Sequence, residues 1–219
     1  MKKRTTTDDT RTALLRAAER IIIVEGLNAL SSRRIGAVSG HNATLITYHF
    51  GGVDGLLAEL WRLNQGPMLE EWRMLDAPLP DDGDLALDHL LIYWLRPLWR
   101  SAALTPDERA LAVLDEIASH ASDEVRDPLL KNIVMINDKV LDICTRLLPD
   151  IKRSTLRMRI RLIGAMTMGN APRSTARNPF RKTRDMRYFH ASLAFAKTGL
   201  TAPEHDDHFA KLTRAVRTV

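Results

Sequence analysis

Apolar residues recur at three- and four-residue spacing along nearly the whole chain, and no short run alternates as a half-buried strand does. The pattern predicts an all-α protein. Its first helix runs from about Asp9 to Glu25, with Leu14, Ala17, Ala18, Ile21 and Val24 as the stripe and Gly26 as the stop. Thr7, Asp8 and Asp9 offer capping oxygens. Ser31 caps a short second helix through Val38, with Ile35 and Val38 inward. Ser39-Gly40 breaks it, and Asn42 caps a third short helix ending near His49. A longer helix begins near Val53 and carries Leu56, Leu57, Leu60 and Trp61. Gly66-Pro67 is expected to kink or end it, because proline lacks the donor and clashes with the preceding turn.

Residues 76–83 read as the clearest loop. Helical patterns resume at about 84–101 (broken near Pro97), 106–121, 124–148, 150–170, 184–198 and 203–217. Pro106 and Pro128 suit helix first turns, and 170–182, rich in Pro, Arg, Ser and Asn, reads as a second long loop. With 219 residues the chain has room for a small and a larger unit, which divide as 1–53 and 54–219.

Composition narrows the function. An apolar fraction of 45% and a charged fraction of 27% exclude a disordered chain. No run approaches the roughly 18 apolar residues of a membrane span, and the basic start is followed by a polar stretch, not an apolar signal core. The lone Cys144 leaves no internal disulfide and no cysteine-rich metal site, so a cytoplasmic protein is expected. A net charge of +5 is a weak pointer to an anionic partner. Its distribution says more: Lys152 to Arg187 holds 11 basic residues and one acidic, Asp185, while acids gather at 70–88 and 107–127. Facing helices that partly neutralise one another would account for those blocks.

The informative segment is 10–57. Helix, glycine, short helix, glycine turn, short helix is the layout of a helix-turn-helix unit, and Gly40 supplies the small residue of a tight turn. At about 100° per residue, Ile46 and Phe50 fall together toward the first two helices. Thr44, Thr47 and Tyr48 fall opposite, with His49 flanking: donors and acceptors for base edges and phosphates, and no carboxylate to repel them. Read singly, Tyr48 would equally be a half-buried ring and His49 a helix-end hydrogen bond. Lys2, Lys3, Arg4, Arg11, Arg33 and Arg34 move the DNA reading ahead.

These residues also carry a resemblance. Thr10-Arg-Thr-Ala-Leu-Leu-Arg-Ala-Ala-Glu-Arg, Glu25-Gly-Leu-Asn-Ala-Leu-Ser-Ser-Arg-Arg-Ile-Gly-Ala-Val-Ser-Gly40 and Leu45-Ile-Thr-Tyr-His-Phe-Gly-Gly-Val-Asp-Gly-Leu-Leu57 resemble the N-terminal domain of TetR-family transcriptional regulators. The likeness runs without gaps over 10–57, and Tyr48-His-Phe-Gly51 is its most diagnostic stretch. Leu193 to Pro203 is similar to the close of that family's last dimer helix. Three positions depart. Val53 stands where a phosphate-binding lysine is common, Ala43 where a basic residue is, and Gly36 where a better helix former is.

The resemblance implies a ligand-responsive regulator, most simply a repressor, binding a near-palindromic double-stranded DNA operator as a homodimer. Phosphate contacts are expected from Ser31, Arg33, Thr47, His49 and the basic arm, and base contacts from Asn42, Thr44, Thr47 and Tyr48. It further implies a small, mostly apolar effector between the later helices, with His89, Trp94, Trp99, Met135 and Met166 as candidates. Plain core packing explains those side chains as well. Arg157 and Arg161 would meet a carboxylate on the effector or pair across the dimer. The helix starting at Val53, as the only joint between the units, is the expected lever. Stretches 150–170 and 184–198 should form a dimeric four-helix bundle through Ile160, Ile163, Leu193 and Phe195.

Other chemistry is sparse. No phosphate loop, dinucleotide fingerprint or nucleophile elbow occurs, so no enzyme and no cofactor is expected. His205-Asp-Asp-His208 has metal-ligand spacing, yet a solvated helix accounts for it and no third ligand is evident, so no metal is expected either. The rival class is a helical binding or enzymatic module whose trihelical unit no longer reads DNA, as Val53 and Ala43 would allow.

Overall fold

A computed structural model of the chain describes residues 7–168 and 186–204. The basic arm at 2–4, the 170–182 stretch, and the His205–His208 pair with the helix expected around it lie outside the described residues. Among those described are nine α-helices and one isolated two-residue bridge, Ser101 with Arg109. The protein is all-α, as the periodicity predicts.

Helix α1 (Thr7–Glu25) ends at Gly26, whose left-handed φ of 87° lets its amide reach the Ile21 and Ile22 carbonyls, both at 3.1 Å. Its buried face is wider than one stripe: Ile21, Ile22 and Ile23 are all buried because α1 packs on several helices at once, leaving Val24 outward. Helices α2 (Ser32–Ser39) and α3 (Thr44–Phe50) follow, then α4 (Val53–Trp72). Val38 is exposed, so α2 turns only Ile35 and Gly36 fully inward. Pro67 does not end α4, which continues to Trp72. A proline removes one donor and crowds one carbonyl, and the buried Leu60, Trp61, Met68 and Trp72 hold the helix on either side.

Beyond it lie α5 (Gly83–Leu95), α6 (Ala110–His120), α7 (Asp123–Leu147), α8 (Arg153–Met168) and α9 (Met186–Thr201). Helix α6 starts at Ala110, later than the pattern suggests, and Pro106 sits in the turn before it. The cause is Arg109. Its buried guanidinium donates to the Leu98 carbonyl at 2.7 and 3.1 Å and lies 4.1 Å over the Trp99 ring, and Arg109 itself is extended, outside the helix. Burial pulls that guanidinium down to about 10, still charged at neutral pH.

One hydrophobic core runs from Leu14 in α1 to Leu200 in α9. Helix α6 joins α4 in bridging it: the Leu27 amide donates to the buried Glu116 carboxylate at 2.9 Å. Helix α4 is therefore not the sole joint between the two parts. Among the described residues no helix is long and apolar enough to cross a membrane, and no cluster of His, Cys, Asp and Glu could hold a metal ion.

Candidate nucleic-acid interface and interior cavity

The α2–α3 turn is built by local chemistry. The Ser31 side chain accepts from the Arg34 amide at 3.2 Å, which fixes the start of α2. Gly40 ends it in the left-handed region at φ 73°. Gly36 is the residue that lets α3 come close. A Cβ there would lie 2.9 Å from the His41 carbonyl oxygen and 3.2 Å from the Ala43 nitrogen. The glycine that looks like a weak helix position in the sequence is required by the turn. Asn42 Oδ1 accepts from the Thr44 amide at 3.0 Å and its hydroxyl at 2.9 Å, so that oxygen is committed to starting α3.

On α3, Ile46 is fully buried while Thr44, Thr47 and Tyr48 face outward, Tyr48 with 76% of its surface exposed. The half-buried His49 meets the Tyr48 ring edge-on at 5.0 Å. Arg33 is exposed beside them and makes no ion pair among the described residues, whereas Arg34 is held by Glu25 at 2.7 and 3.2 Å. No Asp or Glu occurs between Gly26 and Val53. The face thus presents hydroxyls, an imidazole and a free guanidinium without a compensating carboxylate. A polyanion is the partner that such a surface favours. Underneath, Arg11 pairs with Glu59 at 2.8 Å and lies 5.0 Å over the Phe50 ring, tying α1, α3 and α4 together.

A second feature lies deeper. Between α4, α5, α6, α7 and α8 is a cavity of about 50 Å³, room for a few waters at roughly 10–15 Å³ each. Gln65, Met68 and Trp72 of α4 form one wall; Trp94, Leu111, Leu114, Ile133 and Ile136 form much of the rest. Beside it, α1 meets α4 at a polar seam. The fully buried Glu19 carboxylate accepts from Asn64 Nδ2 at 2.9 Å, the Leu104 amide at 2.9 Å and the Thr105 hydroxyl at 2.5 Å.

No protein-family model matches the sequence, and no curated protein does. Solved structures do. The TetR-family transcriptional regulator PfmR from Thermus thermophilus superposes with a TM-score of 0.62 at 15% identity, over 92% of this chain and 99% of that one. The fold is that of the TetR-family regulators. NalD from Pseudomonas aeruginosa, the secondary repressor of the MexAB-OprM multidrug efflux pump, gives 0.53 at 17% identity, covering 88% and 93%. Mycobacterium smegmatis AmtR gives 0.55 at 15% identity, covering 100% and 95%.

Within this TetR-type fold, the seven residues expected at DNA do gather on one end: Ser31, Arg33, Asn42, Thr44, Thr47, Tyr48 and His49 lie on α2, α3 and the caps before them. The five effector candidates do not gather. Only Trp94 lines the cavity. Trp99 is taken up by Arg109 and by Phe189 at 5.3 Å, and His89 by the Tyr93 hydroxyl at 3.3 Å. Met135 points outward on α7, and Met166 is half-buried away from the cavity wall. Arg157 and Arg161 also lie on the outer face of α8, where they cannot meet a ligand inside. Sequence reasoning missed Gln65, Asn137 and Thr167, the polar groups of the wall. A usable signal existed: Trp61, Gln65, Met68 and Trp72 keep one helical face, so Gln65 is a polar residue in a core stripe.

The helix phase expected for assembly is corrected as well. Ile160 and Ile163 are 2% and 3% exposed, because α8 turns them into the protomer's own core. Its outward stripe is Met158, Leu162 and Ala165 instead. On α9, Phe195 is outward as expected, 62% exposed, whereas Leu193 is half-buried.

Proposed function

We propose that the chain is a transcriptional regulator, in its simplest form a repressor, which binds a near-palindromic operator as a homodimer and is released by a small, mostly apolar effector. The observation that carries the reading is the outward face of α3, where Thr44, Thr47 and Tyr48 are exposed above a buried Ile46 in a segment without a carboxylate. Residues 1–53 serve as the DNA-binding unit and 54–219 as the effector and dimerisation unit, in the cytoplasm, where an operator is reached. No catalysis is assigned to it.

Two recognition helices must enter successive major grooves about 34–36 Å apart, which needs a second copy. The exposed apolar stripe of Met158, Leu162 and Phe195 on α8 and α9 supports a four-helix interface between copies. Arg157 and Arg161 flank the stripe without an ion pair among the described residues, while Lys197 is held within the chain by Asp84 and Asp88, each at 2.8 Å.

Release requires an effector that binds the two spacings with different affinity. The make-up of the cavity walls supports such a coupling. Helix α4 carries Gln65 and Met68 on the wall and Leu56 and Leu57 in the core below α3. Helix α6 carries Leu111 and Leu114 on the wall and Glu116 on the Leu27 amide. A ligand larger than the 50 Å³ cavity must part these helices, and both end on the DNA-binding unit. Titration of operator and random duplexes across a range of salt tests the reading. Sequence-specific binding with a steep salt slope is expected; weak binding indifferent to sequence would favour the rival helical module.

A further inference from the structure

Gln65 is 3% exposed, and its two ends are treated differently. Its Oε1 accepts from the Trp61 indole Nε1 at 2.8 Å and from Asn132 Nδ2 at 3.0 Å. An indole nitrogen only donates, so the amide cannot turn over without losing that bond. Its orientation is therefore fixed. The other end, Nε2, is buried and has no hydrogen-bond partner among the described residues, on a residue that lines the cavity. A buried amide donor left unmade costs free energy, whereas its partner acceptor is already doubly satisfied.

The rest of the wall defines what can answer that donor. Trp72, Trp94, Leu111, Leu114 and Ile136 supply most of the surface, Asn137 and Thr167 (its hydroxyl given to the Gly164 carbonyl at 2.9 Å) are the other polar groups, and no charged described side chain lines the cavity. A carboxylate or ammonium entering here would be desolvated without a counter-charge. We infer that the cavity takes an uncharged, largely apolar molecule bearing one hydrogen-bond acceptor, such as a ketone, ester or amide carbonyl, and that Gln65 Nε2 is the donor that reads it. The inference rests on the cavity being the effector site and narrows the class of effector.

Three small ring compounds test it on the full-length protein: cyclohexanone, the isosteric methylenecyclohexane, and cyclohexanecarboxylate, each titrated calorimetrically. The ketone should bind about five- to tenfold tighter than the hydrocarbon, the difference of one neutral hydrogen bond, and the carboxylate weakest of all. In Gln65→Met, which keeps the volume on the wall but offers no donor, the preference for the ketone should vanish. Should that variant not fold, the wild-type side-chain amide resonances of Gln65, assigned through their contact with the Trp61 indole proton, give the second readout. Ketone should shift them and the hydrocarbon should not. Equal affinity for ketone and hydrocarbon, or tightest binding of the carboxylate, would overturn the acceptor inference and leave the cavity as a ligand site. Failure of all three to bind would overturn the cavity itself as the effector site.

Discussion

The two ends of the molecule solve opposite surface problems with the same helical material. Helices α1 to α3 turn every large aliphatic except Val24 and Val38 at least partly inward and leave hydroxyls, an imidazole and a guanidinium outside. Helices α8 and α9 keep Ile160, Ile163 and Phe189 inside yet still expose Met158, Leu162 and Phe195. The polar surface of α2 and α3, free of carboxylates, is complete in water and improves on meeting a polyanion. An apolar stripe is incomplete in water and improves on meeting another apolar stripe. The first end should therefore tolerate substitution without unfolding, and the second should not remain alone.

The sharpest way to break that contrast is Phe195→Arg. The side chain is 62% exposed in the protomer, so folding should be spared, but a symmetric interface would bury the new charge twice. Several kcal/mol of association should be lost. Light scattering should then report monomer, and operator binding should collapse although no DNA-facing residue has changed. A mutant that remains dimeric would place the interface elsewhere.

Next in size is the seam between the two ends. Glu19→Ala removes the acceptor for Asn64, Leu104 and Thr105 at one stroke. Leaving buried donors unmade should cost about 3 kcal/mol, read as a lower midpoint in urea. A single unfolding transition is expected, because one core spans both ends; two transitions would show that the ends fold independently.

Tyr48→Ala probes the polar end itself. About 1–3 kcal/mol of operator affinity should go, with stability changed by under about 0.5 kcal/mol because the ring is outside. A large drop in melting temperature would show that the ring is core after all.

The contrast was unequally legible in the sequence. The trihelical end could be read almost residue by residue, because caps, glycines and short-helix phase are local: Ser31, Gly40 and Ile46 do what their types and spacing dictate. The later helices could be placed but not phased. Which side of α8 faces inward is decided by α6, α7 and α9, so Ile160 and Leu162 look alike in sequence and end on opposite sides. The cavity was hidden for the same reason. It is what five helices leave between them, and Met135, Met166 and Trp99 have suitable chemistry in positions that packing uses otherwise.

The smallest effect expected concerns pH, and it separates the foot of the trihelical end from the outer face of α3. Glu59 on α4 sits between Arg62 at 2.8 Å and Arg11 at 2.8 Å. The hydrogen bond from Arg62, and then that from Arg11, outweigh burial and hold its carboxyl down at about 2. An acid stabilised in its charged form contributes to folding above the unfolded pKa of about 4.3. That contribution fades as pH falls from there through the folded value near 2. Arg62 is largely solvated and Arg11 partly so, so the gain is at most about 1 kcal/mol. Glu59→Gln should flatten the stability profile between those two values and leave it unchanged at neutral pH except for a constant offset. Urea midpoints measured across that range provide the check, and an unaltered slope in the mutant would assign the acid lability to other carboxylates. Operator affinity at neutral pH should be nearly the same in both proteins, because Arg11 still covers Phe50 from below and nothing on the outer face of α3 has moved.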